Sequence, residues 1–472
     1  MANTTALRTS AATALGTRSD WQLRRPGLRG PRTGMHLIGP AAVLASVAGS
    51  WFAFADATGD GGNVAFGLFI GAVSIILMAW SFVLAVRLRF LERFFGGLDS
   101  MYRVHRWAGT FAVVAMYAHT TIEPDIKGGI RGASRSVADT AEDLAGTGQT
   151  MLYILVGISL LRWFPYRWWR LTHKLLGIPF AFACFHFFTA EKPYANGSAW
   201  GWYFGAIMVA GLLAYVGRVV GKDIVRPGVA YTVKRADVSG STLDLELTPT
   251  GEALKHHVGQ FVVLKVQKPG LREPHIFTVA SGPESPILRF FIRDLGDWTA
   301  RMQQAELVGA KVTVEGPYGM FEPIADDATK TVWVAGGVGI TPFLSAAGTL
   351  SLDSDVRPTL HYLVRSRDDA MALDVLEAHH GAGRLRLVVH ASADGERFQP
   401  DSLREHHGVA GLSGAHVAVC GPASLVTLVD TEARRLGASF VEREDFDVRQ
   451  GFGPDLSREL DNLTGSLSPS RR

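Results

Sequence analysis

Four histidines carry the first chemical signal in this chain: His105 and His119 lie in one apolar stretch, His173 and His186 in another. An ionisable ring in hydrocarbon is costly unless its nitrogen is used, so histidines paired inside a membrane point to metal ligation. Fourteen residues separate His105 from His119, about 21 Å of rise and about −40° of net rotation on an ideal helix, which puts both rings on one face. Thirteen residues separate His173 from His186, and a rotation of about 220° turns the second ring away. Pro179, just after Gly177, removes a backbone donor, so a distortion is predicted there that lets the helix overwind or bulge and restores the facing. The rings then pair across helices at two depths, His105 with His173 and His119 with His186. Pairs four helical turns apart do not offer a tetrahedral zinc site. They suit two b-type haems, each gripped by two axial imidazoles, an arrangement with no open iron position that favours electron transfer.

The elements that must hold these rings are apolar runs at about 36–56, 65–87, 103–121, 149–164, 171–190 and 199–220, and they predict a six-helix transmembrane domain. The basic connections belong to the cytoplasm: the tail with Arg24, Arg25, Arg29 and Arg32, the link with Arg87, Arg89, Arg93, Arg103 and Arg106, and the link with Arg162, Arg167 and Arg170. The connections carrying Asp56 and Asp60, and Glu123, Asp125, Asp139, Glu142 and Asp143, belong outside. This predicts a multi-pass protein of the plasma membrane with both termini cytoplasmic. Trp163, Trp168, Trp169, Trp200 and Tyr203 suit an interfacial belt, and His36 reads as a hydrogen-bonded structural residue.

At 472 residues and a net charge of +3, the chain is too long for one ordinary domain and too weakly basic to argue for nucleic acid. Cys184 and Cys420 lie in different halves and no CxxC occurs, which argues against iron–sulfur clusters and c-type haem. The expected division is a disordered basic tail at 1–34, the haem domain at 35–221, a barrel at 226–326, a nucleotide domain at 329–449 and a disordered tail at 450–472.

Residues 229–249 and 258–267 alternate apolar and polar positions between glycine turns, as an antiparallel barrel does, with further strands at about 287–293 and 311–315. An apolar strand then runs into the turn Gly336, Gly337, Gly339, followed by Thr341 and Pro342 at a helix start. Such a helix N-terminus holds a pyrophosphate through free N–H groups. A second strand at 359–365 and a third ending at Cys420 complete an α/β doubly wound pattern.

With these residues in place the chain resembles the NADPH oxidase and ferric reductase superfamily over about 36–448. The histidine spacing is similar to that family's four haem ligands. In the soluble half, 275-HIFTVAS-281 resembles its flavin motif HPFT with Ile276 in place of proline, and 292-IRDLGDWT-299 resembles its IRxxGDWT segment. The segments 314-VEGPYG-319, 335-AGGVGITPF-343 and 419-VCGP-422 extend the match. The resemblance implies a ferredoxin-reductase-like pair, an FAD-binding barrel and an NAD(P)H domain, behind a haem-bearing membrane domain. His275, Phe277 and Thr278 would contact the flavin and ribityl chain, and Arg293 would neutralise the FAD pyrophosphate beside the Gly296, Asp297, Trp298, Thr299 turn. Gly337 and Thr341 would line the nucleotide phosphates, and Cys420, with Gly421 and Pro422, would lie beside the nicotinamide. Phe446 would stack on the flavin, with a further tail running past it to Arg472. Ser366 and Arg367 follow the second strand of the nucleotide domain, where a hydroxyl and a guanidinium can take the 2′-phosphate of NADPH, with NADH as the alternative.

These expectations describe a conduit from NADPH through FAD and two haems to an outer acceptor, either oxygen, giving superoxide, or a ferric chelate. Two other readings stay open: a flavin reductase docked to the bilayer by a haem-free helical anchor, and a reductase for a periplasmic protein partner.

Overall fold

In a computed structural model the chain is described over residues 35–55, 62–122, 126–161, 164, 166–219, 228–325, 330–352, 356–399, 401–407 and 411–445. Phe446, both terminal tails, Glu123 and Asp125 lie outside these residues.

The first part is helical. α1 (Ile38–Ser50), flanked by 3-10 turns, leads to α2 (Gly62–Ala85), which is apolar all round. The short α3 (Arg89–Phe95) sits in the connection to α4 (Leu98–Ile122), and α5 (Arg135–Leu160), α6 (Tyr166–Lys174), α7 (Gly177–Thr189) and α8 (Ala199–Val219) follow. Among the described residues, four segments are both long and apolar enough to cross a membrane: Met35–Ala53, Gly62–Ala85, Trp168–Thr189 and Ala199–Val219. α4 and α5, of 25 and 26 residues, have the length. Their end turns carry Asp99, Arg103 and Arg106 in one and Asp139, Glu142 and Asp143 in the other, which dilutes their apolar character. α5 also begins well before the predicted 149, so the fourth predicted span is the inner half of a longer helix.

The helix expected to distort near Pro179 is interrupted between Lys174 and Gly177. The N–H groups of Leu175, Leu176 and Ile178 bond to the carbonyls of Thr172, His173 and Leu175, three residues back. Pro179 has no N–H to offer Leu175, so Ile178 takes that carbonyl and the helix tightens locally.

A six-stranded antiparallel sheet follows, with strands β3 (Val229–Ser239), β4 (Thr242–Pro249), β5 (Phe261–Val266), β6 (His275–Thr278), β7 (Leu288–Arg293) and β8 (Lys311–Tyr318) in the order β6-β5-β8-β3-β4-β7. It curls round a core containing Tyr231, Leu245, Leu264, Phe290 and Val314, with α9 (Asp297–Gln304) contributing Trp298 and Met302. No ladder joins β6 to β7 among the described residues, so the expected barrel is open along that seam. β1 (Ile130–Arg131) and β2 (Glu191–Lys192) form a separate two-stranded ladder beside the membrane helices.

The last part is a five-stranded parallel sheet, β9 (Lys330–Gly336), β10 (Thr359–Val364), β11 (Arg386–Ala391), β12 (Ala415–Gly421) and β13 (Phe440–Asp445), ordered β11-β10-β9-β12-β13. α10 (Thr341–Ala347) and α11 (Leu373–Gly381) cover one face, α12 (Ser402–His407) and α13 (Ala423–Arg435) the other. The strand ending beyond Cys420 is the fourth of the domain in chain order, not the third: Arg386–Ala391 is an edge strand whose half-exposed residues leave little alternation to read. The order reverses between β9 and β12, the switch point at which open sheets of this kind bind ligands.

Candidate functional site

The four membrane histidines are held by specific neighbours. α2 and α4 run antiparallel and touch at three levels seven residues apart: Gly67 with His119, Ser74 with Ala112, and Ser81 with His105. The His119 Nδ1–H donates to the Gly67 carbonyl at 2.9 Å, and the His105 Nδ1–H donates to the Ser81 carbonyl at 2.8 Å. The His173 Nδ1–H donates to the Ser159 hydroxyl at 3.2 Å, whose own proton goes to the Leu155 carbonyl. A ring whose Nδ1 is occupied in this way presents Nε2 as a free lone pair, the state metal-ligating histidines adopt. The rings of His105 and His173 are 6.2 Å apart between centroids. His186 is an electrostatic neighbour of His119, and its Nδ1 is buried without a hydrogen-bond partner among the described residues. The partners were missed in the sequence, although Gly67, Gly71, Ser74 and Ser81 form a stripe of small residues at helix-contact spacing. Gly71 is obligatory, because a Cβ there would stand 2.7 Å from the His119 Nδ1. The Nδ1 of His36, read as hydrogen-bonded, is buried without a partner among the described residues.

Beyond His186, the Lys192 ammonium donates to the carbonyls of Phe187, Phe188 and Ala190 at 2.9–3.3 Å and so caps α7. Burial pulls Lys192 down to about 8.

In the antiparallel sheet, His275 stacks on Trp298 with centroids 3.9 Å apart, and Phe277 lies 5.9 Å from the same indole. Thr278, grouped with them by motif, falls on the opposite face of β6 because side chains alternate along a strand. Burial first, then Arg170 and Arg301, lowers His275 to about 4, so the ring is neutral at pH 7. His275 Nε2, Thr278 Oγ1 and Trp298 Nε1 are all buried without hydrogen-bond partners among the described residues. Two such atoms, His275 Nε2 and Trp298 Nε1, in one aromatic stack are unusual in a folded protein and mark a place for a polar aromatic ligand. The Thr299 hydroxyl is engaged within its own turn: it accepts from the N–H groups of Leu295 and Gly296 at 3.0 Å and donates to the Gly296 carbonyl at 2.8 Å. It caps α9, in which Asp297 is the first residue, instead of standing free as a donor.

Arg293, at the end of β7, reaches the nucleotide sheet, with its Nη1 3.7 Å from where a Cβ on Gly337 would be. Gly337 has φ +54, and a single 3-10 turn leads from it into α10 with Pro342 in the first turn. Gly339 lies so close to β12 that its Cβ would meet the Cys420 carbonyl at 2.3 Å, while Gly336 faces Gly421 and Pro422. The glycine turn and the VCGP segment, more than 80 residues apart in the chain, therefore meet at the switch point. The Thr341 hydroxyl donates to Val338 at 3.1 Å, and Cys420 is fully buried in the core with Trp333 and Phe343. Ser366 is half-buried and Arg367 exposed, and both are engaged: the Ser366 hydroxyl donates to Asp369 at 2.8 Å and Arg367 pairs with Glu377 at 2.9 Å.

A hydrogen bond joins the two halves of the chain, beside the packing of Val263 and Tyr318 into the helical core. Glu92 on α3 is 5% exposed, and its Oε2 accepts the Gly319 N–H at 2.9 Å, at the end of the VEGPYG segment. Burial raises Glu92 to about 7, against the opposing pull of the Gly319 N–H and Arg89.

A helical membrane part bearing ordered histidines, an antiparallel sheet with an aromatic pocket and a parallel sheet with glycine turns at its switch point define a transmembrane flavoprotein of the oxidoreductase class. Residues 70–184 match the ferric reductase like transmembrane component and residues 230–322 match the FAD-binding domain. The chain thus carries one segment similar to a ferric reductase like transmembrane component and, after it, one similar to an FAD-binding domain. It is 35% identical over 155 residues to the carnitine monooxygenase reductase subunit of Escherichia coli (strain K12), covering 32% of this chain and 46% of that protein. It is 29% identical over 109 residues to NADPH oxidase 1 of Mus musculus, covering 22% of this chain and 18% of that one. The chain thus spans less than half the length of either relative. The FAD/NAD-binding domain of the Vibrio cholerae nitric oxide dioxygenase aligns with 46% of this chain and 98% of its own length, at 19% identity and a TM-score of 0.41.

Proposed function

We propose that the chain is a multi-pass oxidoreductase of the plasma membrane that takes a hydride from cytoplasmic NADPH at FAD and delivers single electrons through two b-type haems to an outer acceptor, oxygen or a ferric chelate. The observation that carries this reading is the state of the histidines, with Nδ1 of His105, His119 and His173 held by neighbours and Nε2 left free. Two imidazoles on one metal, with metal–nitrogen bonds of ~2 Å and ring centres ~1.1 Å further back, need centroids ~6 Å apart. The His105–His173 separation of 6.2 Å fits.

Bound FAD splits a two-electron hydride into the single electrons that haem iron accepts. His105 with His173, and His119 with His186, would hold the irons. His275, Phe277 and Trp298 would wall the flavin, Thr278 would donate its unpaired hydroxyl, and Arg293 would neutralise the pyrophosphate. The Gly336–Gly339 turn, with Thr341 and Pro342, would cradle the nucleotide phosphates, Gly421, Pro422 and Cys420 would border the nicotinamide, and Phe446 would stack on the flavin. Ser366 and Arg367 would exchange Asp369 and Glu377 for the 2′-phosphate of NADPH. The spans would number six, with both termini cytoplasmic.

Reduced-minus-oxidised spectra of the purified chain test the haems; absence of a b-type band sinks the conduit and leaves the docked flavin reductase. NADPH turnover with superoxide detection, against ferric chelate reduction in the same preparation, separates the acceptors. The similarity to a carnitine monooxygenase reductase subunit favours, as a second reading, electron delivery to a protein partner. That reading predicts turnover with neither small acceptor.

A further inference from the structure

The nucleotide domain gathers a second set of histidines, away from the glycine turns. In the parallel register His361 on β10 pairs with Val388 and Leu363 with His390 on β11, so His361 and His390 are two positions apart and share a face. It is the face covered by α12 and α13, opposite the one that holds Tyr362, Trp333 and Cys420. α12 brings His406 and His407 onto it. His361 Nδ1 is 3.0 Å from His390 Nε2, and His361 Nε2 is 3.0 Å from His407 Nε2. The His406 ring lies 5.1 Å from that of His361 and 5.8 Å from that of His390, centroid to centroid. One ligating nitrogen from each of His361, His390 and His406 falls within 4.8 Å of the others. Phe398 closes the side, edge-on to His390 at 5.1 Å.

Imidazoles are poor core residues, and His361 is fully buried. Without a metal, its ring satisfies both contacts only as a link in a donor–acceptor chain, from His407 through His361 to His390 or the reverse, and that chain leaves His406 outside. A tetrahedral ion with metal–nitrogen bonds of 2.0–2.1 Å sets its ligand nitrogens about 3.3 Å apart. His361 and His390, with facing nitrogens 3.0 Å apart, are already near that spacing.

We propose that His361, His390 and His406 bind one divalent transition-metal ion of the zinc type, which ties α12 to the β10–β11 edge of the nucleotide domain, while His407 supports the ring of His361 from outside the ligand set. Burial first, then the neighbouring histidines, holds His361 and His390 far below the ordinary imidazole range, which leaves these two rings neutral and able to ligate. Lys330 and Arg386 are the cations felt by these rings. They oppose a dication, so binding rests on the three ligating nitrogens.

The test is equilibrium dialysis of zinc chloride against the full chain in detergent, purified without a polyhistidine tag and stripped with chelator, with zinc read by elemental analysis. One zinc per chain is expected. The double variant His406→Gln/His407→Gln, altered only on the half-buried α12, is expected to weaken binding at least about tenfold with FAD content and far-ultraviolet dichroism unchanged. His361→Gln should abolish binding; if that buried substitution costs FAD and helicity as well, the α12 variant decides. No saturable zinc in the parent chain, or undiminished zinc in the α12 variant, overturns the proposal.

Discussion

Glu92→Gln isolates a buried carboxyl that bonds the helical part to the antiparallel sheet. The Glu92 side chain sits at about 7, against 4.5 for an ordinary glutamate, and burial is the main cause. At about 1.4 kcal/mol per pH unit this amounts to about 3 kcal/mol of differential stability. The sign follows from where the proton is bound. Between pH 4.5 and about 7 the folded chain keeps the Glu92 proton and the unfolded chain has lost it, so this contribution is complete below 4.5 and is lost as pH rises to about 7. Above that, an ionised carboxylate stays buried with the Gly319 N–H and the nearby Arg89 for support, its Oε1 having no hydrogen-bond partner among the described residues. Glutamine reproduces the protonated form: its carbonyl oxygen can accept from Gly319 and it never ionises. Thermal unfolding of the full chain in detergent, followed by intrinsic fluorescence from pH 5 to 8, should show the parent and variant converging at pH 5. At pH 8 the variant should be more stable by up to about 3 kcal/mol, or several degrees. The figure is a ceiling, because separation of the two parts at this contact would let water reach the carboxylate before global unfolding. A parent-minus-variant difference that does not change with pH, or a variant less stable than the parent at pH 8, refutes the reasoning.

Three further outcomes test the sites. Gly71→Ala, whose methyl would meet the His119 ring at 2.7 Å, should displace that ring and lower iron per chain by about one of the two proposed, while Gly157→Ala, with nothing within 4 Å, should leave it unchanged; equal iron in both removes His119 as a ligand. Trp298→Ala removes the surface on which His275 stacks and should weaken FAD binding about two- to tenfold, the range of one aromatic pair, measured by release of flavin fluorescence. Arg367→Ala should lower the NADPH-to-NADH ratio of kcat/KM about tenfold, as loss of one charge-assisted contact does; an unchanged ratio excludes Arg367 from 2′-phosphate recognition.

Local pattern explains which features were readable in advance. The spacing of His105 and His119 is a helical quantity, and Pro179 announces its own consequence because a missing N–H acts within one turn. The glycine turn after β9 was readable because a strand, a φ of +54 at Gly337 and a proline-bearing helix start follow one another directly. The edge strand β11 escaped because half-exposed residues on an edge do not alternate cleanly. Engagement of the Thr299, Ser366 and Arg367 side chains escaped for a different reason: a motif records a residue type, and the nearest competing acceptor decides whether its polar group is free.

The amino-acid string alone settled the order of the parts, the histidine positions and the glycine turns, since periods of 2 and 3.6 residues and the φ limits of glycine and proline act over a few residues. Tertiary structure decided which nitrogen of each histidine is left free, that Arg293 reaches the Gly337 turn, and that Glu92 meets Gly319 across 227 residues of chain. It also gathered His361, His390, His406 and His407 on one sheet face. Those pairings depend on strand order, helix register and burial, which close loops of tens to hundreds of residues and leave no trace in local spacing.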